Sequence, residues 1–140
     1  MITFSKETIT THIDRIRGAG DVCMYYVHGS QSGALIDTGY GVGDLKEFIE
    51  KTYHQNYEVI ITHGHADHAN GIAQWNKVWM NTIDKDLYFD RSSIALRKEM
   101  LKKKYSDIET WDDSLFQPVF KGEFIHLEEG MTFDLGGVSL

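Results

Sequence analysis

The alternation and clustering of hydrophobic residues predict that the chain begins with strands. Residues 9–16 roughly alternate between apolar and polar side chains and predict a first strand and hairpin, which ends at the turn 18–20. The apolar runs 22–27 and 34–36, which a polar turn separates, predict two paired strands. The first quarter of the chain is therefore expected to build a small sheet.

A helix and a buried strand are predicted next. Leu45, Phe48 and Ile49 follow at helical spacing, and Asp44 stands where its carboxylate can cap the first turn. Residues 57–61 predict a buried strand. A strand, a crossover helix and another strand form a βαβ unit, in which functional residues usually lie in the loops after the strands. The loop after residue 61 is therefore the place where chemistry is expected.

The pattern beyond that loop predicts shorter elements. Short helices are predicted at 69–75 and 84–88, and strands at 78–80, 123–127, 131–135 and 138–140. Ser92 or Ser93 can cap a helix running to about residue 105, whose basic residues 97–104 are expected on a solvated face. The paired glycines at 136 and 137 predict a tight turn between the last two strands.

Composition and charge narrow the class of protein. The 140 residues are 41% hydrophobic, which suits one compact core and is too little for two. A net charge of −7 argues against a broad binding surface for nucleic acid or anionic membranes. A single cysteine, Cys23, excludes an internal disulfide framework and indicates a reducing compartment. Without a membrane-length apolar run or a signal-like start, the protein is expected in the cytoplasm.

Three histidines and a carboxylate follow the predicted buried strand within six residues: His63, His65, Asp67 and His68. The overall histidine content would place only about 0.3 histidines in such a window, so the enrichment is strong. Neutral imidazole and carboxylate groups bind Zn²⁺, and on an extended backbone His63 and His65 project to one side. Asp67 and His68 are expected at a second point nearby. Two adjacent metals can hold a bridging water and lower its pKa.

This segment resembles the His-x-His-x-Asp-His hallmark of the metallo-β-lactamase superfamily. Upstream, residues 34–39 resemble that family's apolar strand ending in Asp-Thr-Gly, and a weaker likeness covers 127–138. The resemblance implies an α+β fold of the αββα sandwich type, with mixed β-sheet and flanking helices. It also implies that residues 1–140 form the first half of such a domain, truncated at its C-terminus.

The resemblance implies a role for each matching residue. His63 and His65 belong to one metal site, and Asp67 and His68 to the other. Asp67 also orients the attacking water, which makes it the candidate catalytic residue. Asp37 matches an aspartate that supports the metal ligands by hydrogen bonding, and a turn-forming Asp is an equally good interpretation. The remaining family ligands follow the segment where this sequence stops, and His126 is not expected to replace them.

The expected function is a zinc-dependent hydrolase that cleaves a small ester, thioester, lactam or phosphodiester with metal-activated water. The intact domain would hold two zinc ions, with iron or manganese as other options. Two alternatives remain open: a non-catalytic metal-binding or protein-interaction module, and an iron-dependent oxygenase on the same fold. Little activity is expected from this chain alone, because two ligands per metal bind weakly. Exposed strand edges predict self-association or association with a missing C-terminal half.

Overall fold

Seven strands lie side by side in chain order in one mixed sheet. The structure is a computed structural model that describes residues 3–140. The strands are β1 (Ser5–Thr8), β2 (Ile13–Arg17), β3 (Cys23–His28), β4 (Gly33–Ile36), β5 (Tyr57–Ile60), β6 (Lys77–Met80) and β7 (Glu123–His126). β1 to β4 pair antiparallel, and β4 to β7 pair parallel. The parallel strands need long crossovers, so the helices of the described chain lie between them in sequence.

The α-helices of the described chain are α1 (Leu45–Thr52), α2 (Ala66–Ala69), α3 (Lys85–Asp90) and α4 (Ile94–Leu101). Short 3-10 turns lie at Ala19–Asp21, Ile72–Gln74, Thr82–Asp84, Ile108–Thr110 and Asp113–Leu115. The predicted capping residues of α1 and α4 are confirmed. Asp44 Oδ1 accepts the Glu47 N–H at the start of α1, and the Ser93 hydroxyl accepts the Leu96 N–H at the start of α4.

Apolar side chains are buried on both faces of the sheet. Leu35 of β4 and Val59 of β5 pack in one cluster with Ile49 of α1. Their strand neighbours Ala34 and Ile60 point to the opposite face, where they pack in a cluster that includes Leu135. Strands buried on both faces are nearly continuous hydrophobic runs, which explains why β4 and β5 were readily predicted. The predicted α+β class, with a mixed sheet and flanking helices, is confirmed.

The predicted first strand was wrong at its beginning. Residues 9–12 form the turn between β1 and β2, because the Thr10 hydroxyl accepts the N–H groups of His12 and Ile13. The helix predicted at 69–75 begins earlier, at α2, and is followed by a separate 3-10 turn. α4 ends at Leu101 and not near residue 105.

The hairpin predicted at 131–135 and 138–140 forms only as a short pairing. Phe133 and Leu140 exchange two backbone hydrogen bonds around the bridge between Asp134 and Ser139, but neither segment forms a regular strand. The Leu135 carbonyl accepts the N–H groups of Gln31 and Ser32, which ties this segment to the β3–β4 turn. The tight turn at Gly136 and Gly137 is confirmed by their φ angles of 89° and 76°.

Candidate metal centre

The histidine-rich loop lies where two neighbouring parallel strands end. Asp37 directly follows β4, and His63 lies three residues beyond the end of β5. Gly39 and Ala69 form a bridge that joins the two loops beyond these strands. Loops at the carboxyl ends of parallel strands meet at one edge of a sheet. The fold therefore brings the Asp37 loop and the histidine-rich loop together, although 25 residues separate Asp37 from Thr62.

Three imidazole rings pack against one another in this loop. The His63 ring centroid lies 4.7 Å from that of His65 and 4.2 Å from that of His68. His68 Nε2 lies 3.5 Å from Asp67 Oδ2. His65 is exposed, and the other three side chains are half-buried. The structure thus brings the four residues of the predicted ligand set into one accessible cluster.

Asp37 supports this cluster through hydrogen bonds to His68 and Thr62. Its side chain is buried, and its Oδ2 accepts a hydrogen bond from His68 Nδ1 at 2.7 Å. Its Oδ1 accepts the Thr62 N–H at 2.8 Å. With Nδ1 of His68 committed to Asp37, the Nε2 atom of that ring is left to bind a metal, as metal-binding histidines require. Asp37 also adopts a left-handed conformation with a φ of 67°, so it shapes the turn as well as the support.

A second loop fixes the backbone of the motif. The Gly64 N–H donates to Asp84 Oδ2 at 3.0 Å, and a Cβ atom on Gly64 would lie 2.7 Å from the Asp84 carbonyl oxygen. Only glycine allows this close approach to the 3-10 turn after β6. The buried Thr38 donates from its N–H and its hydroxyl to the His68 carbonyl. Sequence analysis assigned no role to Asp84 or Thr38, although Thr38 lies in the Asp-Thr-Gly segment and Asp84 at the start of a predicted helix.

Tyr40, in the loop after Asp37, and Arg97, which donates to the Tyr40 carbonyl, are the next residues around the cluster. Burial, and secondly the charge of Asp67, raise the pKa of Tyr40. The Arg97 guanidinium is fully buried and donates to the carbonyls of Tyr40, Ser92 and Gln117. Burial lowers the pKa of Arg97 to about 10. The solvated face predicted for the basic residues of this helix was therefore wrong at Arg97, which holds the loop after Asp37 in place.

The donor set suits a metal ion in its chemistry. Imidazole nitrogens and a carboxylate oxygen are ligands for zinc, and also for iron or manganese. Within residues 3–140, however, no three His, Cys, Asp or Glu side chains surround a common point that could hold an ion. The His63 ring instead meets the His65 ring edge-on, at an interplanar angle of 85°, and the His68 ring at a tilt of 45°. His126 lies at the end of β7, where its Nδ1 accepts from the Thr82 hydroxyl, and it takes no part in the cluster.

The sheet, its helices and the histidine-rich loop at the end of the parallel strands together define a metallohydrolase-type fold. The chain belongs to the metallo-beta-lactamase superfamily, whose sequence profile matches residues 17–139. The resemblance inferred from the motifs is therefore confirmed over most of the chain.

Solved structures of metallo-beta-lactamases have the same fold. A beta-lactamase domain protein from Burkholderia ambifaria aligns with a TM-score of 0.61 and 14% identity, over 96% of this chain and 47% of its own. A HARLDQ-motif metallo-beta-lactamase from Cronobacter sakazakii aligns with a TM-score of 0.60 and 19% identity, over 96% of this chain and 50% of its own. The chain thus spans about half the length of these structures.

No curated protein sequence matches the chain significantly. In the part of the chain that the structure describes, none of the helices has the length and apolar character needed to span a membrane.

Proposed function

We propose that this chain provides the histidine-rich metal-binding half of a zinc-dependent hydrolase that acts on a small ester, thioester, lactam or phosphodiester. The observation that carries the proposal is the hydrogen bond from His68 Nδ1 to the buried Asp37. A ligand histidine with its second nitrogen held by a carboxylate is the arrangement that metal sites use. The family and the fold support the same class of reaction.

Each residue of the cluster has a distinct task in this proposal. His63 and His65 would hold one zinc ion, and Asp67 and His68 would hold the other. Bound zinc would supply Lewis acidity and lower the pKa of water toward neutrality. The Asp67 carboxylate, which lies 3.5 Å from His68 Nε2, would also accept a hydrogen bond from the attacking water and orient it. Asp37 keeps the His68 ring in the tautomer that carries its proton on Nδ1 and a lone pair on Nε2.

Zinc binding by the 140-residue chain tests this proposal. The zinc content is measured by elemental analysis, and the dissociation constant by competition with a chromophoric chelator. We expect the chain to bind zinc and the double variant His63→Ala/His65→Ala to lose most of its affinity. The variant His54→Ala is the matched control, because His54 is an exposed histidine outside the cluster. A chain that binds no zinc, or a double variant that binds as well as the control, would overturn the proposal.

Hydrolysis is assayed separately with chromogenic ester, thioester, lactam and phosphodiester substrates. Because the related structures are about twice as long, the assay uses both this chain and the longest natural form of the protein. Turnover that depends on zinc and on Asp67 supports the hydrolase. Zinc binding without turnover of any substrate in the longest form would instead identify a non-catalytic metal-binding module.

A further inference from the structure

The hydroxyl of Thr62 lies between the buried carboxylate and a second histidine of the cluster. Thr62 Oγ1 is 3.0 Å from Asp37 Oδ1 and 2.9 Å from Asp37 Oδ2. The same oxygen is 2.9 Å from His63 Nδ1. One side-chain oxygen therefore contacts both Asp37 and His63.

The number of protons available fixes the direction of these hydrogen bonds. An ionised carboxylate can only accept, so the single hydroxyl proton of Thr62 points to Asp37. If Thr62 donated to His63 instead, two oxygens without a proton between them would face each other at hydrogen-bond distance. Thr62 Oγ1 consequently accepts from His63 Nδ1–H. His63 then carries its proton on Nδ1 and presents the lone pair of Nε2.

We propose that Thr62 is a positioning residue that transmits the orienting effect of Asp37 to His63. Asp37 then sets the tautomer of His68 directly and that of His63 through the Thr62 hydroxyl. The proposed function assigns these two histidines to different metal ions. A single buried carboxylate thereby prepares one ligand of each zinc. The functional part of this inference rests on the proposed function, whereas the tautomer of His63 does not.

Removing the hydroxyl takes one donor from Asp37 and leaves its other two in place. Thr62 is exposed, so its side chain does not contribute to the buried core. Its N–H donates to Asp37 Oδ1 whatever side chain it carries. The backbone of His68 is held independently by Thr38. Thr62→Val keeps the shape of threonine and removes only the hydroxyl.

The chain contains a matched control in Thr82 and His126. Thr82 Oγ1 lies 2.9 Å from His126 Nδ1, and the Thr82 N–H donates to the same nitrogen. Because Nδ1 of His126 accepts these hydrogen bonds, His126 carries its proton on Nε2, which is the opposite tautomer from His63. Thr82→Val removes a similar hydroxyl whose partner is His126 and not a histidine of the cluster.

Two measurements test the proposal. Long-range ¹H–¹⁵N NMR spectra of the metal-free chain, recorded where imidazoles are neutral, give the tautomer of each histidine. Chelator competition gives the zinc affinity. In the wild-type chain we expect the Nδ1–H tautomer at His63 and the Nε2–H tautomer at His126. Thr62→Val should mix the tautomers of His63 and weaken zinc binding by about tenfold, at the lower end of the loss seen when a supporting contact is removed.

The conservative and control variants distinguish positioning from a general structural effect. Thr62→Ser keeps the hydroxyl and should restore both the tautomer and the affinity, while Thr82→Val should leave both unchanged. If His63 keeps its wild-type tautomer in the Thr62→Val chain, Thr62 does not transmit the effect of Asp37 to His63. If the tautomer changes but the zinc affinity does not, this effect has no role in zinc binding. If neither the wild-type chain nor any variant binds zinc, the proposed function fails. The NMR spectra still show whether Thr62 sets the tautomer of His63.

Discussion

Two buried aspartates, Asp37 and Asp14, each lie beside a histidine, yet their surroundings differ. Asp37 accepts hydrogen bonds from the N–H and the hydroxyl of Thr62 and from His68 Nδ1. Asp14 accepts one hydrogen bond, from the Tyr53 hydroxyl at 2.6 Å. Its neighbour His28 stays 3.8 Å away, beyond hydrogen-bonding distance. The same pair of residue types thus forms an oriented hydrogen bond in one place and a longer contact without a hydrogen bond in the other.

The position along the strand explains this difference. Asp14 lies within β2, where it faces Tyr53, and the Tyr53 ring stacks on Tyr26 with centroids 3.7 Å apart. Its carboxylate therefore helps to pack α1's C-terminal end on the sheet. Asp37 lies just beyond β4, where the chain turns with a positive φ and meets the loop after β5. A buried carboxylate can organise a site where loops converge, whereas the middle of a strand confines it to packing.

The largest expected difference comes from the matched substitutions Asp37→Asn and Asp14→Asn. Three donors face Asp37, so a carboxamide leaves at least one of them opposite its own NH₂ group. The single donor at Asp14 can still bond to the carboxamide oxygen. We expect Asp37→Asn to weaken zinc binding about 10- to 100-fold and Asp14→Asn to leave it unchanged. Chelator competition on both purified chains measures this.

Equal losses of zinc affinity in the two variants would contradict the distinction between Asp37 and Asp14. They would show that the loss of a negative charge, wherever it lies, weakens zinc binding. Far-ultraviolet circular dichroism on the same samples controls for unfolding. The free energy of unfolding from urea titration separates a loss of affinity from a loss of stability.

A smaller effect is expected from Tyr53→Phe, which removes the partner of Asp14 and keeps the ring. The buried Asp14 then loses its hydrogen bond, which costs about 1 kcal/mol of the free energy of unfolding. Zinc affinity should not change, because Tyr53 has no contact with the histidine cluster. Urea unfolding and chelator competition are compared with the wild-type chain. A variant that loses affinity would link the two regions and contradict their separation.

The smallest effect is expected at alkaline pH. Burial, and secondly the hydrogen bond to Asp14, raise the pKa of Tyr53 above its ordinary value, and burial also raises those of Tyr26 and Tyr57. A raised pKa of an acid in the folded state means that folding favours its neutral form. The stabilisation is therefore complete below the unfolded pKa of about 10 and is lost as the pH rises above it.

Urea unfolding at pH 9 and pH 11 checks this expectation. We expect the free energy of unfolding to fall between these values in the wild-type chain, and to fall less in Tyr53→Phe. The remaining loss in that variant belongs to the other tyrosines whose pKa burial raises, which are Tyr26, Tyr40, Tyr57 and Tyr88. An equal fall in both chains would show that Tyr53 does not contribute.

The sequence predicted those parts of the molecule that depend on local patterns. The Asp44 cap, the buried strands β4 and β5 and the cluster of His63, His65, Asp67 and His68 all lie within short segments. The contact between Asp37 and His68 joins two segments that the parallel strands bring together. It was expected only from the resemblance to the family.

The contacts that sequence analysis missed join distant segments through the backbone. Asp84 accepts the Gly64 N–H from 20 residues away, and no local pattern marks an aspartate for that role. Arg97 was assigned to a solvated face because its neighbours are basic, yet its partners are carbonyls, which every residue carries. The contact between Leu135 and the β3–β4 turn was missed for the same reason, because the Leu135 carbonyl accepts the N–H groups of Gln31 and Ser32.

The buried guanidinium of Arg97 has a consequence for how the loop beside the cluster opens. Its partners Tyr40 and Gln117 lie 57 and 20 residues away in sequence, and the Gln117 N–H in turn donates to the Gly41 carbonyl. Freeing this loop while α4 stays docked would therefore leave the buried guanidinium without two of its hydrogen-bond partners, which is costly. The loop after Asp37 should consequently open together with the docking of α4 as one cooperative unit, and not fray like an ordinary surface loop.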